Sequence, residues 1–219
     1  MPAFFICKYS SLLVLLLLLI GCKPSPQPLG LPFISNPDFT LEWIAKTDAR
    51  YDSIHQIPSF QFQDQDGQLV TEQTVSGKIY IANFIFTSCG SICPRMTENM
   101  SIVQKKYLQD KEVLILSHSV MPDRDSVPVL KNYANIKGIV SGKWFLLTGN
   151  IDSIYRMAKK EYYAGEKIGY YGNQKDFLHT ENCMLLDKHR RIRGIYNGTL
   201  PLEMERMIED IEILKKEMD

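Results

Sequence analysis

Two cysteines directly follow a long apolar run, and this arrangement constrains the fold more than any other feature of the sequence. The run covers Ile79 to Phe86, and Cys89 and Cys93 follow with three residues between them. A strand that ends in such a loop and enters a helix places both sulfurs at a helix N-terminus. Backbone N–H groups and the helix dipole favour thiolate over thiol there. The sequence therefore predicts either disulfide exchange or the binding of a soft metal.

The first 21 residues have the pattern of an export signal. A nine-residue apolar stretch, Leu12 to Ile20, is followed by Gly21 and Cys22. This stretch is shorter than the roughly 20 residues that span a bilayer, and it fits the core of a signal peptide. The residues before Cys22 resemble the lipobox of bacterial lipoproteins, in which the signal is cut before an acylated cysteine. An ordinary signal peptide with a stray cysteine is the alternative.

We therefore expect a lipoprotein signal peptide over residues 1–21 and lipidation of Cys22. The mature protein is expected to be exported and anchored to a membrane, facing the periplasm or the cell exterior. In such an oxidising compartment a nearby cysteine pair can persist as a disulfide, so a functional pair needs a metal or a reductant. Cys183, the other cysteine of the mature chain, is expected to be a small buried residue without a redox role.

The sequence after the signal divides into a linker and one domain. Residues 22–50 are predicted to form a lipid-anchored, proline-rich tether with an N-terminal extension, because five prolines occur between residues 23 and 37. Residues 51–219 are predicted to form the domain. The formal net charge is zero and no basic run occurs, so nothing indicates a nucleic-acid partner.

Strand-like and helix-like segments alternate along the domain. A hairpin is predicted at residues 57–70 around the turn Asp66–Gly67. Strands are predicted at 79–86, 113–120 and 144–147, helices at 94–109, 126–135, 151–161 and 202–218, and a second hairpin at 182–196. This order implies an α/β fold, with a mostly parallel central sheet that ends in an antiparallel hairpin and with helices on both faces. A cysteine pair after the first strand of such a unit is typical of a thioredoxin-like fold.

A histidine is the candidate for a third ligand beside the two thiols. His179 precedes a predicted strand, so it is expected at the rim where open α/β sheets place their sites. Cys89 and Cys93 share one helix face at i and i+4. Two thiolates and an imidazole suit Cu(I), Cu(II) or Zn(II). The alternative for His179 is a solvated loop residue, and His118 is expected to be a strand residue rather than a ligand.

The set of motifs, in its order along the chain, resembles the SCO/SenC family of copper-binding proteins. The matching segments are Ile57–Phe60, Asp64–Gly67, Asn83–Pro94, Pro122–Asp125, Trp144–Gly149, His179–Thr180 and Leu186–Asp187. The resemblance implies a thioredoxin-like fold and one copper ion, Cu(I) or Cu(II), with Cys89, Cys93 and His179 as ligands. It also implies assistance in assembling the binuclear copper centre of cytochrome c oxidase. The implied partners are the oxidase subunit that carries this centre and a thiol reductant.

The sequence departs from the family pattern at Met121, where the family usually has an acidic residue near the site. This change leaves the ligands intact but removes an auxiliary group. No proline occurs between Pro128 and Pro201, so the cis-proline that faces the thiols of thioredoxins is absent.

Three functions remain open at the level of sequence. The first is a metallochaperone that carries copper without turnover, which the presence of His179 favours. The second is an enzyme, a thiol-disulfide oxidoreductase in which Cys89 and Cys93 are the redox-active pair that reduces the cysteines of the oxidase copper site. The third is an anchored redox or copper sensor.

Overall fold

The computed structural model describes residues 30–164 and 180–218. In these ranges the strands are β1 (Phe33–Ile34), β2 (Leu41–Glu42), β3 (Gln61–Gln63), β4 (Leu69–Thr71), β5 (Ile79–Ile85), β6 (Val113–Ser119), β7 (Trp144–Leu147), β8 (Asn182–Leu186) and β9 (Ile192–Asn197). The α-helices are α1 (Ile92–Lys106), α2 (Val127–Lys137), α3 (Ile151–Arg156) and α4 (Pro201–Met218). A π-helical turn, Met157–Glu161, continues α3. None of the helices in these ranges has both the length and the apolar character needed to cross a bilayer.

The central sheet has five strands in the order β7-β6-β5-β8-β9. β5, β6 and β7 are parallel, whereas β8 runs antiparallel to β5 and to β9. Every residue of β5 and of β6 is buried, because a parallel sheet covered on both faces has no solvent side. The predicted architecture, three parallel strands with an antiparallel hairpin, is confirmed.

Both faces of the sheet are covered, but by different elements. Buried side chains of α1, α2 and α4, among them Met100, Leu130 and Met207, pack on the face formed by residues such as Ile81 and Ile115. The opposite face is covered by α3 and by the β3–β4 hairpin, with Phe62 and Ile154 packed over Phe84 and Leu116. Burial at about 25 cal/mol per Å² of apolar surface makes these two layers the main source of stability.

The predicted β3–β4 hairpin protects the edge of the sheet. Gln65 Nε2 donates to the Trp144 carbonyl at 2.8 Å, and Gln65 Oε1 accepts from Leu146 N–H at 2.7 Å. The side chain thus satisfies backbone groups of the edge strand β7 that would otherwise be open to another strand. Gly67 has φ +72°, which explains the glycine in the predicted turn.

Residues 30–37, which the sequence assigns to the tether, pack on the domain instead of extending from it. Leu31 N–H donates to Glu217 Oε1 at 2.8 Å, and Arg193 Nε donates to the Pro32 carbonyl at 3.0 Å. Phe33 and Ile34 are buried in β1. The prolines predicted an extended tether, but the apolar pair Phe33 and Ile34 provides the burial that holds this segment in place.

Candidate metal and redox site

The cysteine loop joins β5 to α1. β5 ends at Ile85 and α1 begins at Ile92, two residues earlier than the predicted start at Pro94. Cys89 therefore lies in the loop, and Cys93 lies in the first turn of the helix. Pro94 fits this turn because the first N–H groups of a helix have no partner within the helix. The remaining N–H groups of the turn are free to stabilise a sulfur anion.

Both sulfurs are largely removed from solvent and are not joined by a disulfide in this structure. Cys89 is 7% exposed and Cys93 is 2% exposed. Burial alone would raise the pKa of Cys89, but the backbone N–H groups of Cys93, Ser91 and Ile92 and the thiol of Cys93 hold the pKa of Cys89 below its usual value. Ser91 N–H lies 3.5 Å from the Cys89 sulfur. The loop thus makes the Cys89 thiol easier to deprotonate than an ordinary cysteine thiol.

The second thiol behaves in the opposite way. Burial raises the pKa of Cys93 to about 12, and the neighbouring sulfur of Cys89 adds to this shift. Cys93 therefore keeps its proton at neutral pH and donates it towards Cys89. The pair can attack a disulfide through Cys89, or it can bind a soft metal when the metal displaces the proton of Cys93.

A buried carboxylate fixes the entrance to the cysteine loop. Asp125 accepts from Thr87 N–H at 3.1 Å, from the Thr87 hydroxyl at 2.5 Å and from the Ser119 hydroxyl at 2.5 Å. Asp125 is 1% exposed, so these bonds replace its contacts with water. Asp125 belongs to the segment Pro122–Asp125 of the family resemblance, but no role for it was predicted from the sequence. The sequence signal for such a role is a polar residue shortly after the buried strand β6.

We expect Asp125→Ala to lower the free energy of unfolding by about 3 kcal/mol, because the Ser119 hydroxyl is left buried without its acceptor and the partly buried amide and hydroxyl of Thr87 lose theirs. Asp123→Ala, at an exposed position two residues away, is the matched control and should change stability by less than about 0.5 kcal/mol. Urea unfolding of the reduced protein measures both variants. Equal midpoints for the two variants would show that the buried carboxylate does not hold the loop.

The predicted third ligand, His179, lies outside the described residues, as do Cys22 and the signal peptide. Its neighbour Thr180 is buried. The β5–β8 register pairs Tyr80 with Leu186 and Ala82 with Met184, so the start of β8 lies at the end of β5 from which the cysteine loop leaves. Among the described residues, no group of three or more His, Cys, Asp or Glu side chains is placed to hold a metal.

His118 and Cys183 lie in the core, and Met121 packs against it. His118 is a fully buried residue of β6, as expected, and it packs on the face of the sheet that α3 covers. Cys183 is fully buried in the core. Burial raises the pKa of its thiol to about 12, so this thiol keeps its proton at neutral pH. Met121 is partly buried and packs on the same face as His118. Its thioether contributes to packing at the position of the family's acidic residue.

The fold and the site together define a class of protein. The central sheet has three parallel strands, β5, β6 and β7, and an antiparallel β8–β9 hairpin. The cysteine pair lies where the chain passes from β5 into the following helix. This is the arrangement of a thioredoxin-like protein with paired thiols.

The comparison with known families identifies the family within this class. The SCO1/SenC family model matches residues 49–216, so the chain belongs to the SCO1/SenC family. The SCO1 protein homolog of Bacillus subtilis is 32% identical over 160 residues, which cover 72% of this chain and 82% of that protein. A relative from Stutzerimonas stutzeri that is named for copper binding is 27% identical over 164 residues, covering 71% of this chain and 76% of the relative.

Solved structures show the same fold. A SCO1/SenC family lipoprotein from Bacillus anthracis is 29% identical, with a TM-score of 0.64 over 74% of this chain and 95% of that chain. BsSco, described as a Sco family cytochrome c oxidase assembly protein with a disulfide switch, is 30% identical, with a TM-score of 0.60 over 73% of this chain and 93% of that chain. The predicted family and the thioredoxin-like fold are both confirmed.

Proposed function

We propose that this protein is a copper metallochaperone that assists assembly of the binuclear copper centre of cytochrome c oxidase. The observation that carries the proposal is the pair of buried thiols at the start of α1, one of which, Cys89, is stabilised as a thiolate by backbone N–H groups. Membership of the SCO1/SenC family, the relative named for copper binding and the oxidase-assembly description of BsSco support the same function.

Copper is the cargo in this proposal, and the chain's own groups would receive it in a defined order. Cys89 offers the first sulfur because backbone N–H groups hold its pKa below its usual value, whereas burial raises that of Cys93. Cys93 must lose its proton before it can bind, and His179 is proposed as the third ligand. A set of two thiolates and one imidazole suits either oxidation state of copper, and it leaves a position that the thiols of an acceptor can attack.

The proposal places the protein outside the cytoplasm, held to a membrane by lipid on Cys22 after removal of residues 1–21. The description of the Bacillus anthracis relative as a lipoprotein supports this localisation. The described chain begins beside Leu31, which bonds to Glu217 near the start of β9. This end of the sheet is opposite the cysteine loop, and β5 separates the two by about 20 Å. The thiols therefore lie about one strand length from the described residues that are nearest to Cys22 in the sequence.

A thiol-disulfide oxidoreductase is the second candidate, and the unequal pKa values of the two thiols favour it. The Cys89 thiolate would attack a disulfide of the target and form a mixed disulfide, releasing one target thiolate. Cys93 would then lose its proton, displace the second target sulfur and close a Cys89–Cys93 disulfide. The target gains two electrons that the pair loses, so each cycle consumes one external dithiol reductant.

One experiment separates the two candidates. Reduced protein carrying one copper is mixed with the reduced, metal-free copper domain of the oxidase, and metal-free reduced protein is mixed with the same domain in its disulfide form. The metallochaperone predicts that copper is found on the oxidase domain when the two proteins of the first mixture are separated and their metal content is measured. Appearance of thiols on the oxidase domain with loss of the Cys89 and Cys93 thiols, in the second mixture alone, would instead support the oxidoreductase. Failure of both reactions would overturn the proposed link to the oxidase.

A further inference from the structure

Helix α2 and the residues that lead into it hold both ends of the cysteine loop. At the first end, Asp125 accepts from the backbone N–H and from the hydroxyl of Thr87, at 3.1 Å and 2.5 Å. Asp125 lies shortly before α2, which begins at Val127. The second end of the loop is the first turn of α1, and a residue within α2, Tyr133, is bonded to this turn.

Tyr133 reaches the first turn of α1 through Thr97. The Thr97 hydroxyl donates to the Cys93 carbonyl at 2.9 Å, and the hydroxyl oxygens of Thr97 and Tyr133 lie 2.9 Å apart. A threonine hydroxyl has one hydrogen, which the Cys93 carbonyl accepts, so Tyr133 is the donor to Thr97. The bond within α1 is common for threonines in helices, whereas the bond from α2 is a tertiary contact.

The groups of this chain of hydrogen bonds are closed to solvent. Thr97 is 2% exposed and Tyr133 is 8% exposed, so water does not readily replace the bond between them. Tyr133, Cys89 and Cys93 belong to the same cluster of buried side chains. A buried polar network in which each donor has its acceptor makes the surrounding structure rigid. The bond therefore fixes the turn that carries Cys93 relative to α2.

The orientation of this turn also matters to Cys89, which lies in the loop before the helix. Ser91, the N-cap residue of α1, places its backbone N–H 3.5 Å from the Cys89 sulfur. Backbone N–H groups at a helix start favour a sulfur that carries negative charge, either as a thiolate or when bound to a metal. A sulfur in a disulfide carries no such charge, so it gains less from these groups.

We propose that Tyr133 is a positioning residue of the cysteine pair. Its hydroxyl, through Thr97, holds the first turn of α1 in the arrangement that favours the reduced and the copper-bound pair over the disulfide. Tyr133 acts through the helix backbone and not as a ligand. The statement about copper rests on the proposed function, whereas the statement about the reduced pair does not.

The equilibrium of the pair with dithiothreitol tests the proposal without metal. Oxidised dithiothreitol takes two electrons and two protons from the thiols of Cys89 and Cys93, which join in a disulfide, and becomes the dithiol. Tyr133→Phe removes only the hydroxyl, and it should shift this equilibrium towards the protein disulfide by roughly 2- to 10-fold, the equivalent of one hydrogen bond. Thr97→Val should cause a similar shift, and the double variant should add little to either. Mass spectrometry of the disulfide-linked peptide of the full chain measures each equilibrium.

Tyr107→Phe is the matched control. Tyr107 is 3% exposed at the other end of α1, and its hydroxyl donates to Glu212 Oε1 at 2.8 Å. This variant loses a comparable hydrogen bond, so a shift that arises from general loosening of α1 would appear in both variants. Equal equilibrium constants in Tyr133→Phe and Tyr107→Phe would overturn the proposal.

The copper-bound form provides a second, spectroscopic measurement. Tyr133→Phe keeps the proposed ligands, so it should still bind copper, but with roughly 2- to 10-fold weaker affinity and with a shifted Cu(II)–thiolate absorption band. Tyr107→Phe should match the wild type in both respects. A wild-type spectrum and affinity in Tyr133→Phe would overturn the statement about copper. Failure of the wild type itself to bind copper would contradict the proposed function, and the dithiothreitol equilibrium would still decide the role of Tyr133.

Discussion

Copper binding is expected to be lost in Cys89→Ala and in Cys93→Ala, with affinity for Cu(I) at least a hundredfold weaker than in the wild type. Removing a group that only supports a ligand already weakens metal binding by 10- to 100-fold, and each of these variants removes a soft ligand itself. Cys183→Ala is the matched control, because Cys183 is buried and its thiol pKa is raised by burial. Competition with a chromophoric Cu(I) chelator measures all three affinities.

The same titrations test His179. We expect His179→Ala to lose most of the Cu(II) absorption and to bind Cu(I) more weakly than the wild type, because two thiolates alone remain. A variant that kept the full spectrum and affinity would exclude His179 as a ligand and leave the cysteine pair in place. Loss of binding in Cys183→Ala equal to that in Cys93→Ala would instead point to general unfolding.

The pH dependence of copper binding has a defined sign. Because the pKa of Cys93 is about 12, copper must displace a proton at neutral pH, and affinity should fall about tenfold for each unit that the pH drops. The pKa of Cys89 lies below its usual value. Cys89 therefore steepens the decrease of affinity with falling pH only at pH values at which its thiol is protonated in the metal-free protein. A flat profile between pH 8 and 6 would show that Cys93 is not a ligand.

The parts of the fold that were predictable are those that local sequence determines. The apolar runs of β5 and β6 specify buried strands, and Asp66–Gly67 specifies a turn. The position of the cysteine pair, between a buried strand and a helix, was likewise predictable from the sequence. Cys89 and Cys93 were expected on one helix face from their i, i+4 spacing, but Cys89 lies in the loop before α1 and only Cys93 lies in the helix.

What the sequence did not predict depends on contacts between distant residues. The packing of Leu31 uses Glu217, which is 186 positions away along the chain. The role of Asp125 depends on Thr87, 38 positions earlier. No local pattern encodes either contact. The proline content predicted an extended tether, whereas β1 is held by the rest of the domain.

The environment of His118 is another contact of this kind, and it has a large consequence for stability. Its ring lies 5.4 Å from the ring of Phe62, 5.3 Å from that of Phe84 and 5.7 Å from that of Tyr162, measured between ring centres. Neither ring nitrogen has a hydrogen-bond partner among the described residues. Burial in this aromatic cluster lowers the pKa of His118 to about 3, so the imidazole is neutral in the folded protein.

The folded protein should therefore lose stability as the pH falls. An unfolded histidine has a pKa of about 6.5, so below this pH the unfolded chain binds a proton that the folded chain refuses. The contribution of His118 is complete above pH 6.5 and is lost as the pH falls towards 3. The expected loss between pH 7.5 and 4.5 is about 3 kcal/mol, in addition to the effects of other groups.

His118→Phe removes this proton-linked loss while keeping an aromatic ring among aromatic neighbours. The free energy of unfolding is measured with urea at pH 7.5, 6 and 4.5. The difference between His118→Phe and the wild type should shift in favour of the variant as the pH falls. His189→Asn is the control, because His189 is exposed and its removal should flatten the profile less. At pH 7.5 His118→Phe should be at least as stable as the wild type, because two buried nitrogens without partners are replaced by carbon. Parallel profiles for wild type and His118→Phe would mean that the imidazole gains a proton in the folded state at the same pH as in the unfolded chain.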